Sequence, residues 1–194
     1  MYQEKLIFSL IERGWYSCDS FLDPLLCNVL LEELLSLPLK AAKIGKGSSE
    51  QIIPDIRNDS LYWLDEKSGS KAQKVYLEEM HNLMMILNRE LFLGLRQFEG
   101  HFAKYDKNGF YKKHVDQFKE NNERIVSVIS YLNTPASGGE LRIYSRENPE
   151  IIEEDISPKA GRLVCFLSNQ IYHEVRPANC ERYSIAGWLR TNIQ

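Results

Sequence analysis

The sequence lacks any apolar run long enough to cross a bilayer. It lacks a basic excess: 24 Lys and Arg stand against 27 Asp and Glu, so neither nucleic acid nor an anionic membrane is the expected partner. It lacks a CxxC pair. The four cysteines, Cys18, Cys27, Cys165 and Cys180, are scattered and read as reduced thiols. The opening stretch, MYQEKLIFSLIERG, lacks the charged, apolar, small order of a signal peptide, and the expected location is the cytoplasm. Internal repeats and low-complexity blocks are missing too. Histidine is scarce, with only His81, His101, His114 and His173.

The remaining composition is that of an ordinary globular chain. Its 43% hydrophobic content excludes a disordered or fibrous protein, and 194 residues suit one domain with a substantial core. Residues 1–94 read as mainly helical support. Asp19 or Ser20 is expected to cap a helix through FLDPLLCNVLLEELLSLP, with Pro24 tolerated in its first turn. Leu26, Leu30, Leu34 and Leu37 recur at helical spacing, and Pro38 ends the run. Residues 40–59 read as an irregular, mobile connection. A second helix is expected over 70–93, with Tyr76, Met80, Leu83 and Leu87 as its core stripe.

From about residue 95 the period changes. RIVSVISYL (124–132), GELRIY (139–144), GRLVCFLS (161–168) and RYSIAGWLR (182–190) read as short strands bounded by Gly, Pro, Asn or Ser. Helices followed by strands predict an α+β chain built on a β-sandwich or barrel. The acidic run 150–155 reads as a solvated loop, and His81 and His101 as packing or surface residues.

In YKKHVDQF (111–118), His114 and Asp116 stand two apart. On a strand they would project from the same face and could share one cation. His173, in IYHEVRP, sits on another expected strand. Two histidines and one carboxylate make the facial triad of non-haem Fe(II) oxygenases, although such ligands also suit Zn, Mn, Ni or Co. Arg182 follows on the neighbouring expected strand. It shares a face with Ser184, Ala186 and Trp188, which sets a cation beside small residues. An inward arginine needs a partner, and a dicarboxylate ligand would supply one. Tyr131 shares a face with Ile125, Ser127 and Ile129 and could reach inward beside Arg182.

The segments FYKKHVD (110–116), SYLN (130–133), GGELRIY (138–144) and HEVRPANCERY (173–183) resemble the prolyl-4-hydroxylase-like 2-oxoglutarate and Fe(II)-dependent dioxygenases. The likeness is to the oxygen-sensing prolyl hydroxylase domain group and its bacterial relatives. DIRNDSLYWL (55–64) resembles that group's approach to a mobile active-site loop. The resemblance implies a double-stranded β-helix (jelly roll) over 95–194, with the N-terminal helices packed on one sheet. It implies Fe(II) on His114, Asp116 and His173. It implies 2-oxoglutarate held by Arg182 and Tyr131, with Tyr105 and Ser184 beside it. Arg57, Asp59, Trp63 and Trp188 would border the peptide. The implied reaction consumes O2 and 2-oxoglutarate, releases succinate and CO2, and hydroxylates a prolyl residue of a protein at C4. Ascorbate would keep the iron reduced. Two other readings remain at this stage. One is an oxygenase of the same fold acting on a small molecule or nucleic acid; the other is a ligand-binding module without turnover. Oligomeric state is not legible.

Overall fold

A computed structural model describes residues 2–45, 50–117 and 123–192. Three helices precede most of the sheet. Helix α1 (Tyr2–Glu12) buries Leu6 and Leu10, one turn apart. Helix α2 (Pro24–Ser36) buries Cys27, Leu30 and Leu34 along one stripe. Its cap is Asp23, whose carboxylate accepts from the Leu25 N–H at 2.8 Å. The expected caps Asp19 and Ser20 lie too early. Pro24 takes the first helical position, where its missing N–H costs nothing, and Ser20 stands at φ 57, outside the helix. Helix α3 (Lys71–Leu91) is capped by Ser70 and buries Tyr76, Met80, Leu83 and Leu87, as the periodicity predicts.

Eleven strands follow the chain: β1 (Trp15–Cys18), β2 (Lys40–Ala41), β3 (Ser60–Trp63), β4 (Gln97–Tyr105), β5 (Tyr111–His114), β6 (Arg124–Tyr131), β7 (Leu141–Tyr144), β8 (Ile152–Ile156), β9 (Leu163–Leu167), β10 (His173–Val175) and β11 (Arg182–Arg190). They form two antiparallel sheets. The larger runs β1-β9-β6-β11-β4-β3-β2 and the smaller β5-β10-β7-β8. This is the jelly-roll arrangement expected.

Period-two alternation divides the large sheet between two cores. On β9, Leu163 and Cys165 face the helices, while Val164 and Phe166 face the smaller sheet. On β6, Val126 and Val128 take the helix side, and Ile129 and Tyr131 the inner side. The helices therefore cover the outer face of the large sheet, and the space between the sheets is left for the site.

Four further expectations change. The first half contributes β1, β2 and β3 to the large sheet as well as helices; these strands are too short to show a period. Within 40–59, β2 pairs with β3, and Ile44 bridges Gln51; residues 46–49 lie outside the described chain. The acidic run is not a loop. It becomes the edge strand β8, which tolerates charge because one side faces water. Finally, β10 and β11 are not neighbours. β10 pairs with β5 and β7, and β11 with β4 and β6, so His173 and Arg182 belong to opposite sheets.

Candidate active site

His173 and His114 are direct cross-strand partners on β10 and β5. Their rings lie 4.2 Å apart, centroid to centroid. β5 ends at His114, so Asp116 reaches the same point from the bend beyond it, not from the strand face that the HxD spacing suggests. Its carboxylate oxygens lie 3.4 Å from His114 Nε2 and 3.7 Å from His173 Nε2. One donor atom from each residue falls within 4.8 Å of the others, close enough to surround one ion.

The tautomers suit a metal. Nδ1 of His114 lies 2.7 Å from the Lys112 carbonyl, and Nδ1 of His173 lies 3.2 Å from that of Ile171. A carbonyl only accepts, so each Nδ1 carries the hydrogen and each Nε2 turns its lone pair to the centre. Burial, with His114 alongside, pushes the His173 pKa down to about 4, against the pull of Asp116. His173 is therefore a neutral imidazole near pH 7, and its approach to Asp116 is not an ion pair. Burial alone would raise the Asp116 pKa, but the neighbouring His173 and His114 and the Ser127 hydroxyl together hold it well below the usual carboxylate range. The donor set is thus two imidazole nitrogens and one carboxylate, which fits Fe(II).

Across the space between the sheets stands Arg182, 1% exposed. Its guanidinium lies 4.8 Å from the centroids of both the Tyr105 and Tyr131 rings. It donates to Ser184 Oγ at 3.3 Å. Among the described residues no carboxylate pairs with it. Its Nε and the Tyr131 hydroxyl are buried without hydrogen-bond partners. Buried polar groups normally have partners, so this corner is built for something that brings acceptors. The dicarboxylate 2-oxoglutarate fits that demand.

Most of these groups line one cavity of about 930 Å³, with Tyr131 lying behind its wall. His114, Asp116, His173, Tyr105, Arg182, Ser184, Arg57, Trp63 and Trp188 all border it. Asp59 does not. It is buried with its carboxylate taken by Arg57 in a two-pronged pair at 2.7 and 2.5 Å. Arg57 also sits 4.3 Å over the Tyr111 ring, which stacks on His114 at 3.6 Å. The pair thus braces the first ligand from behind.

Sequence reasoning missed several residues of the wall, His101 and Arg124 among them. His101, expected as a packing or surface residue, is on β4 and buried between Trp63 at 4.9 Å and Trp188 at 5.7 Å. Arg124 lies 3.4 Å over Trp188. Their signal was weak. His101 precedes Tyr105 by four on one strand, but a lone histidine carries no period of its own. His81, by contrast, is exposed on α3. None of the four cysteines forms a disulfide, and among the described residues no helix is long and apolar enough to cross a membrane.

The comparisons agree with this geometry. Residues 100–190 match the 2OG-Fe(II) oxygenase superfamily. A crystal structure of a prolyl-4-hydroxylase from Pseudomonas putida is 35% identical, with a TM-score of 0.87 over 100% of both chains. A Trichoplax adhaerens prolyl hydroxylase, solved with a hypoxia inducible factor peptide, is 25% identical with a TM-score of 0.85, covering 98% of this chain and 89% of that one. Human Egl nine homolog 1 is 34% identical over 145 residues, which is 69% of this chain. The chain spans about a third of that relative's length (33%). With a full-length match at that identity and a His, Asp, His centre in the fold, this chain belongs to the 2OG-Fe(II) oxygenase superfamily, whose cofactors are Fe(II), 2-oxoglutarate and O2.

Proposed function

We propose that the chain hydroxylates a prolyl residue of a protein or peptide at C4, converting 2-oxoglutarate and O2 to succinate and CO2. The observation that carries this reading is the aromatic end of the cavity. Trp63, 46% exposed, and Trp188 are 6.4 Å apart, with His101 against both. Prolyl rings dock on aromatic faces, and an extended proline-containing peptide has little conformational entropy to lose. The full-length likeness to a bacterial prolyl-4-hydroxylase supports the same substrate class.

Bound Fe(II) with 2-oxoglutarate supplies the oxidising power to break an unactivated C–H bond. The chain's own residues do the rest. His114, Asp116 and His173 would hold the ion from one side and leave the other open. Arg182 would pair with the distal carboxylate of 2-oxoglutarate, helped by Tyr131 and Ser184, with Tyr105 closing that corner. Burial between two sheets excludes water, which protects the cosubstrate from unproductive turnover. Trp63, Trp188 and Arg57 would orient the peptide, with Asp59 acting through Arg57. No side chain need act as a general base. Ascorbate is the expected reductant for restoring Fe(II).

The test incubates the chain with Fe(II), 2-oxoglutarate, ascorbate and a panel of proline-containing peptides, reading succinate and added oxygen by mass. Hydroxylation that disappears when proline is replaced by alanine supports the proposal. Succinate coupled only to a small molecule or a nucleic acid would replace the substrate, and ligand binding without any succinate would replace the enzyme with a binding module.

A further inference from the structure

Asp116 lies past the end of β5, so no strand ladder fixes it. Other bonds do. The Gln117 N–H donates to the Ser168 carbonyl at 3.2 Å, and the Gln117 side-chain amide donates to the Arg124 carbonyl at 3.1 Å. The carboxylate itself is held by Ser127, whose hydroxyl donates to Oδ2 at 2.7 Å. Ser127 Oγ is in turn 2.8 Å from Ser168 Oγ. Both serines are buried, at 2% and 0% exposure, on β6 and just after β9 in the large sheet. They reach across to a loop of the smaller sheet's side.

The direction of the bonds follows from counting hydrogens. An ionised carboxylate only accepts, so the single Ser127 hydrogen goes to Asp116. The second bond must then use the Ser168 hydrogen. Ser168 is itself anchored, because its N–H donates to the Ile125 carbonyl at 3.0 Å. The chain therefore runs one way, from the β9 end through β6 to the ligand. A hydroxyl bonded to a carboxylate is among the stronger neutral donors, and each bond polarises the next.

We infer that Ser127 and Ser168 form a two-hydroxyl relay that positions Asp116 as a ligand through one oxygen. Oδ2, 3.7 Å from His173 Nε2, is engaged by Ser127, which leaves Oδ1, 3.4 Å from His114 Nε2, as the oxygen with no hydroxyl on it. This bears on turnover. A carboxylate ligating through one oxygen would leave more of the ion open to cosubstrate and O2 than one ligating through both. Ser127 and Ser168 are positioning residues that act through Asp116, although Ser127 also borders the cavity.

The inference rests on the reading of His114, Asp116 and His173 as a metal centre. Failure of that reading shows separately, because the wild-type chain would then not bind Mn(II) at all. The experiment titrates Mn(II) into the wild-type chain and into Ser127→Ala, Ser168→Ala, the double variant and Ser127→Thr, following free ion by paramagnetic resonance. Melting temperatures of the metal-free proteins are measured alongside. Loss of a partner behind a metal ligand lowers affinity about 10–100-fold, so Ser127→Ala should fall in that range. Ser168→Ala should lose less, because Ser127 keeps its own donation. The double variant should be no weaker than Ser127→Ala alone, since Ser168 acts only through Ser127. Ser127→Thr, which keeps the hydroxyl, should recover most of the affinity. Wild-type affinity in Ser127→Ala overturns the inference. So does a double variant whose loss is the product of the two single losses, or melting temperatures that fall while Mn(II) affinity stays unchanged.

Discussion

Replacing Arg182 with methionine should stabilise the cofactor-free chain while removing its response to 2-oxoglutarate. Arg182 is 1% exposed, and among the described residues its Nε has no partner and its guanidinium hydrogen-bonds only to Ser184. Two tyrosine rings at 4.8 Å return part of the burial cost, about 0.5–2 kcal/mol each. Exchanging a buried charge for a similar-sized apolar side chain is typically neutral to about 4 kcal/mol stabilising, and the ring contacts put the expectation at about 1–2 kcal/mol. For a chain of this size, each kcal/mol moves the melting temperature by about 2–4 °C, so Arg182→Met should melt about 2–8 °C higher. With Mn(II) in place of iron, 2-oxoglutarate at about 100 times its Kd adds about 2.7 kcal/mol to the wild-type chain, a rise of about 5–11 °C. The variant should show no such rise. The order of the two proteins therefore reverses on adding cosubstrate. Thermal unfolding with and without 2-oxoglutarate reads this directly. A cofactor-free variant that melts below wild type, or one that gains the same rise with 2-oxoglutarate, would refute the assignment of Arg182 as an anchor held ready for a dianion.

Other outcomes follow from the same structure. His101 has its pKa pushed from 6.5 to about 4, chiefly by burial and then by Arg57. The unfolded chain binds that proton first, so stability is intact above about 6.5 and lost as pH falls toward 4, by about 3 kcal/mol in all. His101→Leu should flatten urea-unfolding stability across that window relative to wild type; an unchanged slope would count against a neutral buried imidazole. Trp188→Ala removes an aromatic face of the proposed peptide end and the ring under Arg124. A lost aromatic anchor costs upward of about 1.4 kcal/mol, so the KM for peptide should rise about tenfold or more while peptide-independent 2-oxoglutarate consumption holds. Leu30→Ala, in the helix-side core at 0% exposure, should cost about 2–5 kcal/mol by denaturant melts and leave Mn(II) affinity unchanged.

The elements with the strongest local patterns were legible from residue order. The α3 stripe of Tyr76, Met80, Leu83 and Leu87 repeats often enough for its period to declare a helix and its buried face. The β-branched runs of β6, β9 and β11 do the same for strands. β1, β2, β3, β4 and β8 were missed. β1, β2, β3 and β8 span two to five residues, and β8 is mostly charged, so neither period nor composition separates them from loop; β4 spans nine, but Gly100, His101 and Lys104 break up its apolar pattern. Likewise the α2 cap was misplaced by three or four residues, because Asp19, Ser20 and Asp23 are all plausible caps until Pro24 fixes the register.

The donor types are a property of the sequence itself: two histidines, an aspartate and an arginine, at spacings that a known family shares. Residue order also determines which faces of β6 and β11 their side chains share, because a strand alternates with a period of two. Sheet membership is not written in that order. Only the tertiary structure decided that His173 pairs with His114 in one sheet while Arg182 stands opposite in the other. That opposition opens the cavity between them, and it arises from long-range strand pairings, such as Gln97 with Arg190 and Trp15 with Phe166. The same long-range packing wedges His101 between two indoles and sets Ser168 behind Ser127, contacts that no local spacing encodes.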